Sequence, residues 1–408
     1  MKVTVGYSEN PDSLEAGRIA ALEAIRESGR DDVCDLVLMF ATARHDAAEL
    51  RTAVAGVVGA EVPVYGGGAV GGITNDRFGY AGDQIVLACI WLDGVRCDVL
   101  VEDGLLEDET EAGRRLGVRL GELGVFGENG GTTAVLFYDA IDVTGEGLRL
   151  IMATRLLAGI EKGLGILPDV VGAGLQGDHV CSPAAEWLGD AIGSHQAIAL
   201  VFSGDVRIDS VIMHGCRPAT RYYTVTKADG QVILEINGQP ALRFIEELLG
   251  GAILAADFPF HLILGVNKGD KWGEYDEDNY ASRLCLAIDE VRGGIVMFEP
   301  DMVEGTEFQI MYPTLEPGYM RPRIEAAFER LGDREPVFAL YIDCAGRAAG
   351  YGGIDLEDAV VLQETVAGRA PILGIYTGVE IASVRGRPRG LDWTGVFCLF
   401  SVPQEGRC

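Results

Sequence analysis

The sequence predicts an α/β fold of the α+β kind, in which repeated β-α-β-plus-β-hairpin units form mixed sheets covered by outer helices, arranged as two domains with an internal duplication. Three observations predict it. Gly66-Gly67-Gly68-Ala69-Val70-Gly71 and Gly172-Ala173-Gly174-Leu175-Gln176-Gly177 repeat one glycine pattern after the same kind of strand. The runs before them, VLMFATARHDAAELRTAVAGVV and AVLFYDAIDVTGEGLRLIMATRLLAGI, each read as apolar strand, loop and amphipathic helix. The segments after them, WLDGVRCDVLVEDG and FSGDVRIDSVIMHG, align in the same register, with Val95-Arg96, Asp98 and Gly104 opposite Val206-Arg207, Asp209 and Gly215.

Taken in order, the first helix starts near Pro11 and runs to about Ser28, with Leu14, Ile19, Leu22 and Ile25 as its apolar stripe. Its counterpart opens at Asp108, where DETEAGRRLGVRLGELG places acids in the first turn and arginines further on, as the helix dipole favours. The hairpin turns are short and polar, Asp93-Gly94 in one copy and Ser203-Gly204 in the other. The repeats thus span 11–104 and 110–215, with GENGGTT (127–133) as the loop into the second copy's first strand. At HGCRPAT (214–220) Pro218 interrupts pairing, which divides the chain into domains 1–216 and 217–408.

The second domain opens with a hairpin, RYYTVTKADGQVILEINGQP, turning at Ala228-Asp229-Gly230. Helix PALRFIEELLG comes next, with Pro240 at its start and Gly250 at its end. Strands are predicted at FHLILGV, SRLCLAI and GGIVMFEP. The final segment from Pro336 to Ala382 restates the N-terminal theme, which therefore occurs three times.

G-x-G-x-x-G raises the question of a dinucleotide site, whose pyrophosphate needs a strand before the glycines and a helix after them. Glu61 to Tyr65 supplies the strand. On the other side of the glycines, GGITNDRFGYAGDQIVLACIWL is a loop and then a β-branched apolar run. The glycines therefore read as tight turns or close approaches of the backbone, and no nucleotide is expected.

Composition narrows the function classes. With 408 residues, 48% hydrophobic and 23% charged, the chain can bury large cores and exceeds one typical domain. Its formal charge of −29 argues against nucleic acid, whose phosphates need a cationic surface. No D-x-D-x-D-G or H-E-x-x-H spacing marks a metal site. No apolar run is long enough to span a bilayer, and MKVTVGYSENPD carries no signal pattern, so a cytoplasmic protein without membrane insertion is expected. Nine cysteines without a C-x-x-C pair read as free thiols in apolar strands.

Several stretches resemble the FIST family, cytoplasmic sensory modules with a FIST N and a FIST C domain in tandem. GGGAVGGI (66–73) is similar to the N-domain signature G-C-S-T-x-G-x-I. HGCRPATRYYTVTKADGQVILEINGQPAL resembles the junction between the domains, and ALYIDCAGR (339–347) and PILGIYTGVEIA (371–382) resemble the C-domain pair F-x-C-x-x-R and G-F-Y-T-x-G-E-I. The chain departs from the pattern at 67–69, Gly-Gly-Ala in place of Cys-Ser-Thr, and at Val379 in place of Gly, so an N-domain site built on those hydroxyls would be altered or lost. The resemblance implies sensing of a small polar metabolite such as an amino acid, with one branch of the family binding haem and responding to nitric oxide. No kinase, cyclase or methyl-accepting segment occurs in the 408 residues, so the output is expected through a separate signalling protein such as a kinase or cyclase.

The predicted ligand-binding residues are Arg347, Thr377, Glu380, Cys344 and Gly374, with Gly66 and Gly172 in the glycine loops. Arg347 and Glu380 come after consecutive apolar strands of one β-α-β unit, where ligands gather outside the carboxyl ends. Arg347 can grip a carboxylate through two parallel hydrogen bonds while Glu380 accepts from an ammonium or hydroxyl. The other reading is that the two pair with each other. Cys344 stands after a strand without a visible general base and reads as packed, so no catalytic residue is assigned, although an enzyme using the interdomain crevice is an alternative. No cofactor is predicted. Haem is the alternative, and for it His214, at the end of an apolar strand, is the proximal ligand to test.

Overall fold

Residues 1–126, 132–143, 145, 147–251, 254–259, 261–314, 317–352 and 356–404 are described by a computed structural model. Most of the predicted loop 127–133 lies outside them. The first unit comprises β1 (Lys2–Ser8), α1 (Ser13–Ser28), β2 (Leu36–Ala41), α2 (Ala47–Val58), β3 (Val64–Gly68), the hairpin β4–β5 (Gly71–Ile73, Phe78–Gly79), β6 (Ile85–Trp91) and β7 (Arg96–Glu102). The second comprises α3 (Glu109–Glu122), β8 (Thr133–Asp139), the short pair β9–β10 (Ile141–Asp142, Arg149–Leu150), α4 (Ala153–Leu164), β11 (Asp169–Leu175), the hairpin β12–β13 (Glu186–Gly189, Ala191–Gly193), β14 (Ala197–Ser203) and β15 (Arg207–Met213). A β-rich segment comes next: β16 (Cys216–Pro218), β17 (Tyr223–Asp229), β18 (Val232–Ile236), β19 (Gln239–Pro240), α5 (Ala241–Leu249), β20 (Ile263–Asn267), β21 (Tyr280–Asp289), β22 (Gly294–Met297) and β23 (Glu307–Pro313). The third unit comprises α6 (Met320–Glu329), β24 (Arg334–Cys344), α7 (Ala349–Gly352), α8 (Asp358–Val366), β25 (Ile372–Thr377), the hairpin β26–β27 (Val379–Val384, Arg387–Leu391) and β28 (Gly395–Pro403).

The three units exchange strands in a closed cycle. Their sheets have the orders β1-β6-β2-β3-β12-β13, β7-β14-β8-β11-β26-β27 and β15-β28-β24-β25-β4-β5. Each reads the same way: an edge strand (β1, or β7 and β15 from the preceding unit), three central strands of one unit (β6-β2-β3, β14-β8-β11 or β28-β24-β25), then a hairpin lent by another unit. The second unit's hairpin completes the first sheet, the third unit's completes the second, and the first unit's completes the third. The sheets therefore cross residue 216, since β15 pairs with β28 and β11 with β26.

The duplication extends to single residues. In the parallel pairs, Met39 stands opposite Gly66, Leu136 opposite Gly172, and Tyr341 opposite Gly374. A Cβ on Gly66 would lie 2.1 Å from the Met39 carbonyl oxygen, and one on Gly172 would lie 1.8 Å from that of Leu136. A side chain cannot fit there. The inner faces of all three sheets meet in one core, where Phe40, Phe137, Ile198, Leu340, Ile375 and Phe400 pack together. Separate clusters on the outer faces seat the helices, with Ala20 and Val54 in the first unit, Leu116 and Leu156 in the second, and Ile324 and Leu362 in the third.

The local signals hold at the helix starts. Asp12 caps α1 by accepting the Glu15 N–H, and Asp108 caps α3 by accepting those of Thr110 and Glu111. The segment between the second and third units closes into a six-stranded antiparallel barrel in the order β17-β18-β22-β21-β20-β23, since β23 pairs with both β20 and β17. Its own core holds Val225, Ile245, Phe258, Leu264 and Phe308.

Candidate functional site

Where the barrel meets the second and third units, the structure leaves a cavity of about 630 Å³. Its walls are largely apolar. Ile141, Leu148 and Leu150 contribute from the β9–β10 region, and Ile263, Leu284, Leu286 and Phe298 contribute from the barrel. The third unit supplies the polar end, with Cys344, Arg347, Asp358, Thr377, Asp392 and Trp393. Such a volume suits one small organic molecule.

Arg347 lines this cavity, in the short turn after β24, but its donors are engaged by the protein. Nη1 donates to the Met213 carbonyl at 2.5 Å and to that of Trp393 at 3.3 Å. Nη2 donates to the Tyr319 hydroxyl at 2.8 Å and to the Asp358 carboxylate. Nε lies 3.3 Å from Asp343. Burial holds the Asp343 carboxyl well above the usual carboxylate range, against the pull of Arg347. Arg347 therefore ties β15, α8 and the β27–β28 bend together.

Arg347 pairs with Asp358 and Asp343, not with Glu380. Glu380 sits inside the β11–β26 pairing opposite Ala173, fully buried, and accepts the Thr394 N–H at 3.2 Å. Burial first, then Asp392 and Asp343, push its carboxyl well above the usual range. The second unit's hairpin repeats the device, with Glu186 opposite Gly67 accepting the Gln196 N–H at 2.8 Å. This recurrence explains Glu380 as a fastener between a lent hairpin and the bend before the last strand.

Thr377 lines the cavity, and its hydroxyl donates to the Gly174 carbonyl, joining the third unit to the second. Cys344 lines it too, and burial together with the nearby Glu380 raises its thiol, which keeps it protonated and poorly nucleophilic. Gly374, Gly66 and Gly172 lie in the strand pairings described above rather than in the cavity wall. The first G-x-G-x-x-G runs from β3 into β4 and the second from β11 into the loop before β12, with no helix behind either.

His214 faces the cavity but has both ring nitrogens in use. Nδ1 accepts the Cys216 N–H at 2.9 Å, which leaves the ring proton on Nε2, 3.3 Å from the Glu277 carbonyl. Burial lowers its pKa below the usual value, in keeping with a neutral ring. Axial ligation of a haem would cost one of these two bonds.

Sequence reasoning missed Asp392, Trp393 and the barrel's apolar wall. The barrel strands were legible, but alternation reports a buried face and not what lies against it. Asp392 and Trp393 stand in LDWTG, a bend between two strands that carries no ligand motif.

A model of the FIST N domain matches residues 35–239, and one of the FIST C domain matches residues 241–383. An uncharacterized protein of Mycobacterium bovis is 29% identical over 200 residues, 48% of this chain and 51% of that protein. An uncharacterized protein of Mycobacterium tuberculosis is 30% identical over 196 residues, 47% of this chain and 50% of its own. The chain thus spans about half the length of these curated relatives. An uncharacterized protein of Methanocaldococcus jannaschii is 26% identical over 129 residues, 28% of this chain and 24% of that one.

Proposed function

Because the chain belongs to the FIST family, whose domains are associated with sensing of small ligands in signal transduction, we propose that it is a cytoplasmic sensory protein holding one small molecule in the cavity between its second unit, third unit and barrel. Its bound state passes to a separate signalling protein such as a kinase or cyclase. The observation that carries the reading is the cavity itself, about 630 Å³ of mainly apolar wall with polar side chains gathered at one end. Because Arg347 is already spoken for by Asp358, Tyr319 and backbone carbonyls, a bare amino acid has no free guanidinium to meet its carboxylate. The lining favours a molecule with an apolar body and a polar head.

Native mass spectrometry of the gently purified protein, together with thermal-shift screening of apolar-bodied metabolites, tests the proposal. Leu286→Trp fills the apolar wall and is expected to abolish both the co-purified mass and any thermal shift. Ligand retained at full affinity by the filled variant would place binding elsewhere.

A further inference from the structure

Asp392 is 2% exposed and lines the cavity. One carboxyl oxygen accepts the Leu284 N–H at 2.9 Å. The other, Oδ1, is buried and has no hydrogen-bond partner. A buried carboxyl oxygen left this way is costly and is rare in folded proteins.

The neighbouring charges do not supply the missing partner. Arg283 donates two bonds of 2.6 Å to Asp301, and its remaining bonds go to the carbonyls of Ser282 and Gly390. Arg347 is held by Asp358 and Asp343. Glu299 accepts the Ala153 and Thr154 N–H groups at the start of α4. Glu380 has an open buried oxygen of its own. This end of the cavity therefore carries carboxyl oxygens in excess of the donors that meet them.

Trp393 is next in the chain, with φ of 53°, a left-handed backbone conformation that a bulky side chain adopts at a cost. Trp393 lines the same cavity as Asp392, and its ring lies close to Gly346, another lining residue. A carboxylate, an aromatic face and apolar walls together recognise an organic cation. A bare metal ion fits poorly, since the described residues bring no three His, Cys, Asp or Glu side chains together as a metal site.

We propose that Asp392 is the specificity-determining acceptor of the cavity, and that its ligand is an apolar-bodied amine or amidine whose cationic head binds against the Asp392 carboxylate and the Trp393 indole. This rests on the cavity reading above and names the class of molecule it takes. The charged groups around Asp392 are Arg283, Asp301 and Glu299 of the barrel and Glu380 of the lent hairpin, with Tyr138 of β8 nearby. Burial is the largest influence and pushes the carboxyl up to about 7, so cation binding should tighten as the pH rises through neutrality.

Calorimetric titration with 4-phenylbutylamine, 4-phenylbutanol and 4-phenylbutanoate tests this on one body with three heads. The amine should bind tightest at pH 8. Its affinity should fall about tenfold at pH 6, and Asp392→Asn should weaken it at least about tenfold while sparing the alcohol. The pH series uses the wild-type protein and keeps the test sharp if the variant folds poorly. If the alcohol or the acid binds as tightly as the amine, or if amine affinity ignores both pH and the substitution, the cationic ligand is refuted and the cavity reading survives. Failure of all three probes to bind at millimolar concentration would overturn both.

Discussion

Asp392→Asn should make the protein more stable at pH 8 than the wild type, with a gain that disappears in acid. Burial raises the Asp392 carboxyl from 3.8 to about 7 in the folded protein. Between those values the folded state holds a proton that the unfolded state has released, so stability falls as pH rises from about 4 to about 7 and stays level above. A shift of about 3 pKa units corresponds to about 4 kcal/mol at most. Asparagine keeps the shape and still accepts the Leu284 N–H, but carries no charge to bury. Urea unfolding of both proteins from pH 4 to pH 9, without ligand, should show the gap opening across that window to roughly 2–4 kcal/mol. A pH-independent gap, or a wild type that is the more stable protein at pH 8, would refute the claim that Asp392 is an uncompensated buried carboxyl. A binding group kept at the expense of stability is a familiar trade-off in ligand sites.

Arg347→Lys should destabilise the ligand-free protein by roughly 3 kcal/mol or more, and so lower its melting temperature, because a lysine cannot hold Asp358, Tyr319 and Met213 together; an unchanged melting temperature would contradict its role as a tie between elements. Gly66→Ala and Gly172→Ala should each cost about 3 kcal/mol in chemical denaturation, and by similar amounts, since both press a carbonyl oxygen in equivalent registers. Tolerance at one site alone would break the equivalence of the two units. Neither NAD nor ATP at millimolar concentration should raise the melting temperature, because no helix N-terminus stands behind either glycine pattern.

The sequence made the units legible because their signals are local. Capping aspartates mark α1 and α3, and apolar runs mark the central strands. The Asp93-Gly94 turn takes the left-handed backbone that its residues suit, with φ of 45° and 91°, but it closes no hairpin: β6 pairs with β1 and β2, while β7 crosses to pair with β14 in another sheet. Partnership between strands was not legible. Gly71–Ile73 and Val379–Val384 read as parts of their own units, yet pair with β25 and β11 of others, because alternation says which face is buried and nothing about the neighbour along the sheet. The same gap misplaced the site. Arg347 and Glu380 do stand after successive strands of one unit, but the lent hairpin starts directly after Thr377 and carries Glu380 into the next sheet.

That exchange also bears on how occupancy of the cavity can be felt elsewhere. Thr377 bonds Gly174 of the second unit, Asp392 bonds Leu284 of the barrel, and Glu299 of the barrel caps α4 of the second unit. All three links meet around the cavity's polar end, and each joins two different bodies of the chain. A ligand that satisfies Asp392 therefore acts on a junction between bodies, whereas one held inside a single unit would have no such purchase. By linkage, it can shift that junction only by its difference in affinity between two arrangements. A cation bound to a neutralised Asp392 gains little and one bound to its carboxylate gains more, so pH and ligand should act on the same joint between the barrel and the third unit.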